Sequence, residues 1–195
     1  MNTVGKHFIF LLLCCTIFAC KSEYTRTVEK ELQSGKVYED LILGLKIGQT
    51  RKEFYDHCWQ LNKEKVISQG PGNQFAKKLI RLDSTDQNSP TVEMLFYGIF
   101  DQAMIMHGMH MKMSYLRWSP WAKDYHSDVL LKNLQAKYLT EYGGNPFIEM
   151  AIDEKVTAYT KVDGNRQILL YPTSDKNVTV KIQDLRTKFD LINGE

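Results

Sequence analysis

The spacing of apolar residues changes from helical to alternating twice along the chain, and this order of patterns is the strongest constraint on its fold. Apolar residues recur at helical spacing in residues 50–69 and again in residues 127–142. After each of these stretches, apolar residues alternate with polar ones, as they do in half-buried β-strands. Helices that precede antiparallel strands are typical of the α+β class. We therefore predict two helices packed on an antiparallel β-sheet.

Capping residues mark the start of the first helix. Thr50 precedes Glu53 by three residues, so the hydroxyl and the carboxylate can each accept a backbone N–H of the first turn. Phe54, Cys58 and Leu61 follow at helical spacing. We predict that Gly70-Pro71-Gly72 ends this helix.

The second predicted helix has a broader apolar face. Ser127 or Asp128 is its predicted N-cap, and Gly143-Gly144 marks its end. Five residues form the apolar face: Leu130, Leu131, Leu134, Tyr138 and Tyr142.

Strand signals follow the second helix. The dipeptide Asp163-Gly164 favours a type I′ hairpin turn between strands at 155–162 and 166–171. Residues 178–183 alternate valine or isoleucine with polar residues and predict a third antiparallel strand.

A similar strand pair precedes the second helix. Residues 91–100 and 104–118 are predicted strands joined at Asp101-Gln102. The strings GNQF and GNPF, at 72–75 and 144–147, each follow a helix. An internal duplication with halves at about 41–120 and 121–190 is one interpretation, and chance is the other.

The first 20 residues have the pattern of an export and lipidation signal. Lys6 provides a positive start, and residues 8–19 form an apolar run too short to span a membrane. The run ends at Ala19-Cys20, which resembles the lipobox of bacterial lipoproteins. We expect residues 1–19 to be a signal peptide and Cys20 to carry lipid. The alternative is an ordinary signal peptide with Cys20 as a bystander.

The rest of the chain is predicted to be a tether followed by one domain. Residues 20–40 are polar and charged, as in a lipidated tether, and residues 41–195 are assigned to a single α+β domain. Removal of residues 1–19 takes away one basic residue and no acidic one, leaving 24 basic and 23 acidic residues. This balance implies no polyanionic partner, so we expect no nucleic-acid binding.

No arrangement of residues predicts catalysis. Cys58 is the only thiol left after lipidation and signal removal, and its apolar helix face favours a structural role over a nucleophilic one. Asp56, His57 and Cys58 are consecutive on a helix, where neighbours point in different directions and cannot form a relay. We expect a non-enzymatic protein without a cofactor.

The segment that opens the first helix resembles small envelope lipoproteins. Its sequence is GLKIGQTRKEF, with Gly44, Gly48, Gln49, Thr50 and Glu53, and it is similar to the opening of the SmpA/OmlA type. That resemblance implies helices on an antiparallel sheet and a role in envelope assembly through protein contacts. The longer string through LNKEKVISQGPGN resembles uncharacterised outer-membrane lipoproteins of the Bacteroidota type, for which no activity is implied.

The stretch MIMHGMHMKM, residues 104–113, has two interpretations. If it is a strand, His107, Met109, Met111 and Met113 lie on one face. Thioethers and imidazole are ligands for Cu(I), so this face is a candidate metal site. Methionine also fills irregular cores, and no second Met-rich or His-rich segment is present. A core strand is therefore the favoured interpretation.

A second candidate site lies in the sequence WSPW. Trp118 and Trp121 flank Pro120, and planar aromatic side chains on a rigid corner can stack on sugar rings. The alternative is a corner that closes the core. The main expectation is thus a lipid-anchored outer-membrane protein, on the periplasmic face or cell surface, that binds a protein partner or a ligand. Copper binding and glycan binding are the two alternatives.

Overall fold

The computed structural model describes residues 22–83, 88–152 and 156–187. They form an α+β fold in which one antiparallel sheet of eight strands has the order β1-β2-β3-β4-β8-β7-β6-β5. The α-helices described over their full length are α1 (Glu23–Gln33), α2 (Arg51–Lys63) and α3 (Ser127–Tyr142), and residues 185–187 are also helical. The strands are β1 (Ser68–Gln69), β2 (Ala76–Arg81), β3 (Thr91–Phe100), β4 (Met106–Tyr115), β5 (Ile148–Ala151), β6 (Thr157–Asp163), β7 (Arg166–Pro172) and β8 (Val178–Asp184).

The predicted signal peptide and Cys20 lie outside the described residues. Within the described part of the chain, none of the helices is long and apolar enough to cross a membrane.

The order of a helix and then four strands occurs twice. α2 precedes β1 to β4, α3 precedes β5 to β8, and β4 pairs with β8 at the centre of the sheet. The two repeated strings do not occupy equivalent places in this order. GNQF lies between β1 and β2, whereas GNPF lies between α3 and β5.

The helices α2 and α3 cover one face of the sheet, here called the core face. Antiparallel partners share a face, so the register Met94–Met113, Met111–Val180 and Val180–Leu170 defines a continuous apolar surface. These five side chains are buried together with Phe54 of α2 and with Leu130, Leu134 and Tyr138 of α3. Burial of the predicted apolar face of α3 is confirmed, with Tyr142 only partly buried.

Residues 23–33 correct the prediction of a lipidated tether at 20–40, because this part of it is folded. They form α1, which begins at the N-cap Ser22 and lies against β6 on the sheet face opposite the core face. Tyr24, Val28 and Leu32 are spaced one turn apart and pack against Val162 and Leu185. The sequence did not indicate this helix because its other residues are charged or polar, so the three apolar positions do not stand out. The two-helix prediction is therefore incomplete, since a third helix packs on the sheet.

Polar contacts fix the C-terminal end of α1 to the sheet. The Glu31 carboxylate accepts hydrogen bonds from the backbone N–H of Gly164 and from the Asn145 side chain, both at 2.8 Å. Beneath them lies a fully buried Lys161, whose Nζ is 2.6 Å from Asp163 Oδ2 and donates to the Asn145 carbonyl at 2.7 Å. α1 is thus part of the folded domain.

The helix boundaries differ in part from the prediction. The capping box of Thr50 and Glu53 is confirmed, but α2 ends at Lys63 rather than at Gly70. α3 begins at Ser127 with His126 as its N-cap, so neither Ser127 nor Asp128 caps it. It ends at Tyr142, with the predicted glycine Gly143 as its C-cap.

The hairpin between β6 and β7 is also shifted by one residue. Asp163 pairs with Arg166, so the two loop residues are Gly164 and Asn165. Gly164 has a φ of 53°, whereas Asn165 does not have positive φ. A single positive φ at the first loop residue is the pattern of a type II′ turn rather than the predicted type I′ turn.

The sequence also missed three short strands, and it made β4 too long. β1, β2 and β5 lie toward the two edges of the sheet. β1 has two residues, β2 does not alternate, and β5 alternates over only four residues. β4 spans Met106–Tyr115 rather than 104–118. Met104 lies in the preceding turn with a φ of 63°.

Candidate binding surfaces

The methionine face of β4 is part of the core. Met109, Met111 and Met113 have at most 1% of their surface exposed, and His107 is partly exposed. The hydroxyl of the buried Tyr138 donates to the sulfurs of Met111 and Met113 over 3.9 and 4.0 Å. The copper hypothesis needs accessible thioethers on this face, and their burial counts against it. Among the described residues, no group of three or more His, Cys, Asp or Glu side chains could hold a metal ion.

Trp118 and Trp121 do not form a common platform. Trp121 is 89% exposed, whereas Trp118 is partly buried and its ring is covered by Lys176, whose Nζ lies 5.4 Å from the ring centroid. His126 packs beside Trp118 at 6.1 Å between ring centroids. The WSPW corner therefore lacks the pair of exposed rings that the glycan hypothesis needs at this position.

The side chains around Cys58 are not arranged for nucleophilic chemistry. Burial raises the pKa of the Cys58 thiol to about 11, so it stays protonated at neutral pH. The Nε2 atom of His57 is directed to the Leu43 carbonyl oxygen at 2.7 Å, within the loop that precedes α2.

On the sheet face opposite the core face, the described residues leave the area over β2, β3, β4 and β8 largely uncovered. We call this area the open face. Its large and ionisable side chains follow from the register and are Lys77, Leu79, Arg81, Glu93, Leu95, Tyr97, His110, Lys112 and Lys181. The smaller Ser114 and Thr179 lie between them on the same face and are buried. Leu79 is half exposed and Lys112 is exposed. α1 lies at the far side of this face, against β6.

The open face combines apolar rings and aliphatic groups with positive charge. Its ionisable side chains are four basic residues and one glutamate, in addition to His110. Tyr97 contacts His110 through its hydroxyl and packs edge-on against Phe75, with ring centroids 5.5 Å apart. Desolvation, followed by the nearby Lys181, lowers the pKa of His110, so at neutral pH this histidine adds no charge.

A groove of about 720 Å³ lies between α2 and the edge of the sheet. We call it the aromatic groove. The aromatic side chains that line it are Phe54, Tyr55, Trp59, Phe75, Phe96, Tyr97 and Phe100. Its polar lining consists of Asn62, Ser68, Gln69, Asn73 and Gln74, together with the oppositely charged Arg51 and Asp56.

Two aromatic residues of α2 form the exposed rim of this groove. Tyr55 and Trp59 are 57% and 63% exposed and lie one helical turn apart. Arg51 lies 5.9 Å from the Tyr55 ring centroid, and Lys63 lies 5.5 Å from that of Trp59. This rim was not predicted from the sequence. The signal was an aromatic pair at i and i+4 on the polar side of a predicted helix.

No family model, curated protein or solved structure matches the chain. What it binds is therefore inferred from the open face and the aromatic groove.

Proposed function

We propose that this protein is a lipid-anchored envelope protein and a non-enzymatic interaction module. It binds an acidic surface of a partner protein on the open face. The observation that carries this proposal is an uncovered sheet surface on which leucine and tyrosine side chains alternate with an excess of positive charge. Apolar groups rimmed by charge are typical of protein interaction sites.

The anchor is proposed at Cys20, and it restricts the protein to a membrane surface. The support is the apolar run of residues 8–19 and the small residue that precedes the cysteine. A protein held in this way presents its folded domain to other envelope components at high local concentration. The proposed location is the outer membrane, on its periplasmic face or on the cell surface.

We also propose that the domain arose by duplication of a helix-plus-four-strand unit. The support is the order of elements, which is the same in both halves, and the pairing of the last strand of each half, β4 with β8. In each half the helix packs on the core face. The two halves differ mainly in α1, which covers the strands of the second half on the face opposite the core face. No described helix covers the corresponding strands of the first half, and this area is the open face.

The test is site-specific crosslinking in the native envelope. A photo-crosslinking residue at Lys112 or Tyr97 should yield a discrete protein adduct, whereas one at the exposed Lys132 of α3 should not. Lys112→Glu combined with Lys181→Glu should weaken capture by the Tyr97 position because both substitutions oppose an acidic partner. Lys132→Glu is the matched control, because it reverses a charge on α3, on the opposite side of the sheet, and should leave capture unchanged. Adducts with lipid alone at Lys112, or capture unchanged by the charge reversal, would contradict the proposal.

A further inference from the structure

The aromatic groove is a second surface, distinct in chemistry from the open face. One wall is α2, the other is the segment from Ser68 to Phe75, and the floor includes Phe96 and Phe100 of β3. Its volume lies within the range of roughly 300–1,000 Å³ that small-ligand sites occupy. Gly98 leaves room for the Phe100 and Phe54 rings at the floor of the groove. A Cβ there would lie 2.7 Å from the Phe100 ring and 3.3 Å from the Phe54 ring.

The polar lining of the groove is uncharged apart from one opposed pair. Arg51 and Asp56 contribute one positive and one negative charge, and the other polar side chains are four amides and a hydroxyl. This lining does not select for anions or cations. An acyl chain is disfavoured too, since it would remove the amides from water without hydrogen-bonding to them.

The amides present both donors and acceptors. Gln69 Nε2 donates to Asn73 Oδ1 at 2.6 Å, a bond that does not use the Gln69 carbonyl oxygen or the Asn73 amide nitrogen. Asn62 Nδ2 donates to the Ile67 carbonyl at 3.3 Å, which leaves its own oxygen outside that bond. Hydroxyl groups can donate and accept, so a ligand rich in hydroxyls matches this set.

Exposed ring faces supply the remaining interaction. Tyr55 and Trp59 lie on one helix face. Arg51 stacks on one side of the Tyr55 ring and Lys63 on one side of the Trp59 ring, so the opposite side of each ring remains for a ligand. An extended peptide is less well matched, because the edge strand β1 beside the groove has only two residues for backbone pairing. We infer that the aromatic groove binds a neutral oligosaccharide, whose C–H faces stack on Tyr55 and Trp59 and whose hydroxyls bond to Asn62, Gln69 and Asn73.

Fluorescence titration tests this site without knowledge of the natural glycan. The full-length chain, in a zwitterionic detergent without a sugar headgroup, is titrated with neutral oligosaccharides prepared from α-glucan, β-glucan, mannan, xylan and chitin. Saturable quenching is expected with at least one of them. The variants are compared by isothermal titration calorimetry, because Trp59 is itself a fluorophore. Trp59→Ala should weaken that binding by about tenfold or more, while Trp121→Ala, at the other exposed tryptophan, should leave the affinity unchanged.

Further variants separate stacking from hydrogen bonding and from misfolding. Tyr55→Ala and Gln69→Leu should each weaken binding with unchanged denaturation midpoints, since Tyr55 and Gln69 are exposed. Failure of every neutral preparation to bind, equal binding by charged oligogalacturonate, or displacement of the sugar by a fatty acid would overturn the inference. Binding that survives Trp59→Ala would do so as well. None of these outcomes bears on crosslinking at Lys112 of the open face, which does not line the groove.

Discussion

The hydroxyl oxygen of Tyr138 lies 3.9 Å from the sulfur of Met111, in the centre of the core. Burial raises the pKa of Tyr138, so the phenol remains a donor at neutral pH. Its acceptors in the structure are the thioethers of Met111 and Met113. This contact explains two methionines of the Met-rich strand by packing and by hydrogen bonding, since leucine would fill the space without an acceptor.

This relationship predicts strong coupling between the helix and the strand. Replacing Met111 and Met113 together by leucine should lower the free energy of unfolding by about 1–3 kcal/mol, because the buried hydroxyl loses its acceptors. The same double substitution in a Tyr138→Phe background should cost much less, since no hydroxyl remains to be satisfied. Urea denaturation of the four variants measures the difference. Equal costs in both backgrounds would show that the sulfurs do not act as acceptors.

Leu134 should be among the most sensitive positions of α3. It is fully buried against the core face, so Leu134→Ala should lower the free energy of unfolding by about 2–5 kcal/mol through lost burial and a residual cavity. Leu139→Ala on the same helix is the matched control, because Leu139 is 42% exposed. Chemical denaturation reports both values, and similar midpoints for the two variants would contradict the packing of α3.

The sequence predicted the elements with a sustained hydrophobic period and missed those with a weak one. α3 and β3 have a sustained period, and each was assigned within one residue of its observed ends. In α1, a stripe of only three apolar residues is masked by charged neighbours. The sequence AKKLIR of β2 does not alternate, since one of its lysines lies on each face of the sheet. A sustained apolar period decides an element from its own sequence, whereas an element without one depends on its neighbours.

The candidate surfaces were less predictable than the fold because they are assembled from distant segments. Lys77, Lys112 and Lys181 come from three strands and reach one face only through the pairing of β2 with β3, β3 with β4 and β4 with β8. In the sequence each of these lysines is an isolated charge. The Met-rich stretch, by contrast, is conspicuous as a string but lies in the core.

The docking of α1 should depend on pH through Glu31. The Gly164 N–H, followed by the Asn145 side chain, lowers the pKa of Glu31 below its usual 4.5. A lowered folded-state pKa contributes stability above about pH 4.5 that is lost as pH falls through the folded value. Glu31→Gln should therefore reduce the melting temperature at pH 7 and have little effect at pH 3. The same loss at both pH values would mean that the carboxylate charge plays no part in docking.

Lipid attachment at Cys20 is tested by fractionation and labelling. Cys20→Ala should move the protein from the membrane to the soluble fraction, because no lipid can then be attached at position 20. Metabolic labelling with a fatty acid should mark the wild type and not the variant. Cys58→Ala is the matched control, since it removes a free, partly buried thiol of the folded domain and should leave both results unchanged. A wild type that never incorporates the label would exclude the anchor.

The Met-rich strand should not bind copper tightly. The thioethers of Met109, Met111 and Met113 are buried, two of them accept hydrogen bonds from Tyr138, and a Cu(I) ion would have to displace core packing to reach them. Titration with Cu(I) against a chelating competitor should therefore give no stoichiometric binding to the folded protein. The informative variant replaces the three methionines by leucine together with Tyr138→Phe, which removes the thioethers without leaving a buried hydroxyl unsatisfied. Tight binding by the wild type that disappears in this folded variant would establish a metal site on β4 and overturn the assignment of these methionines to the core alone.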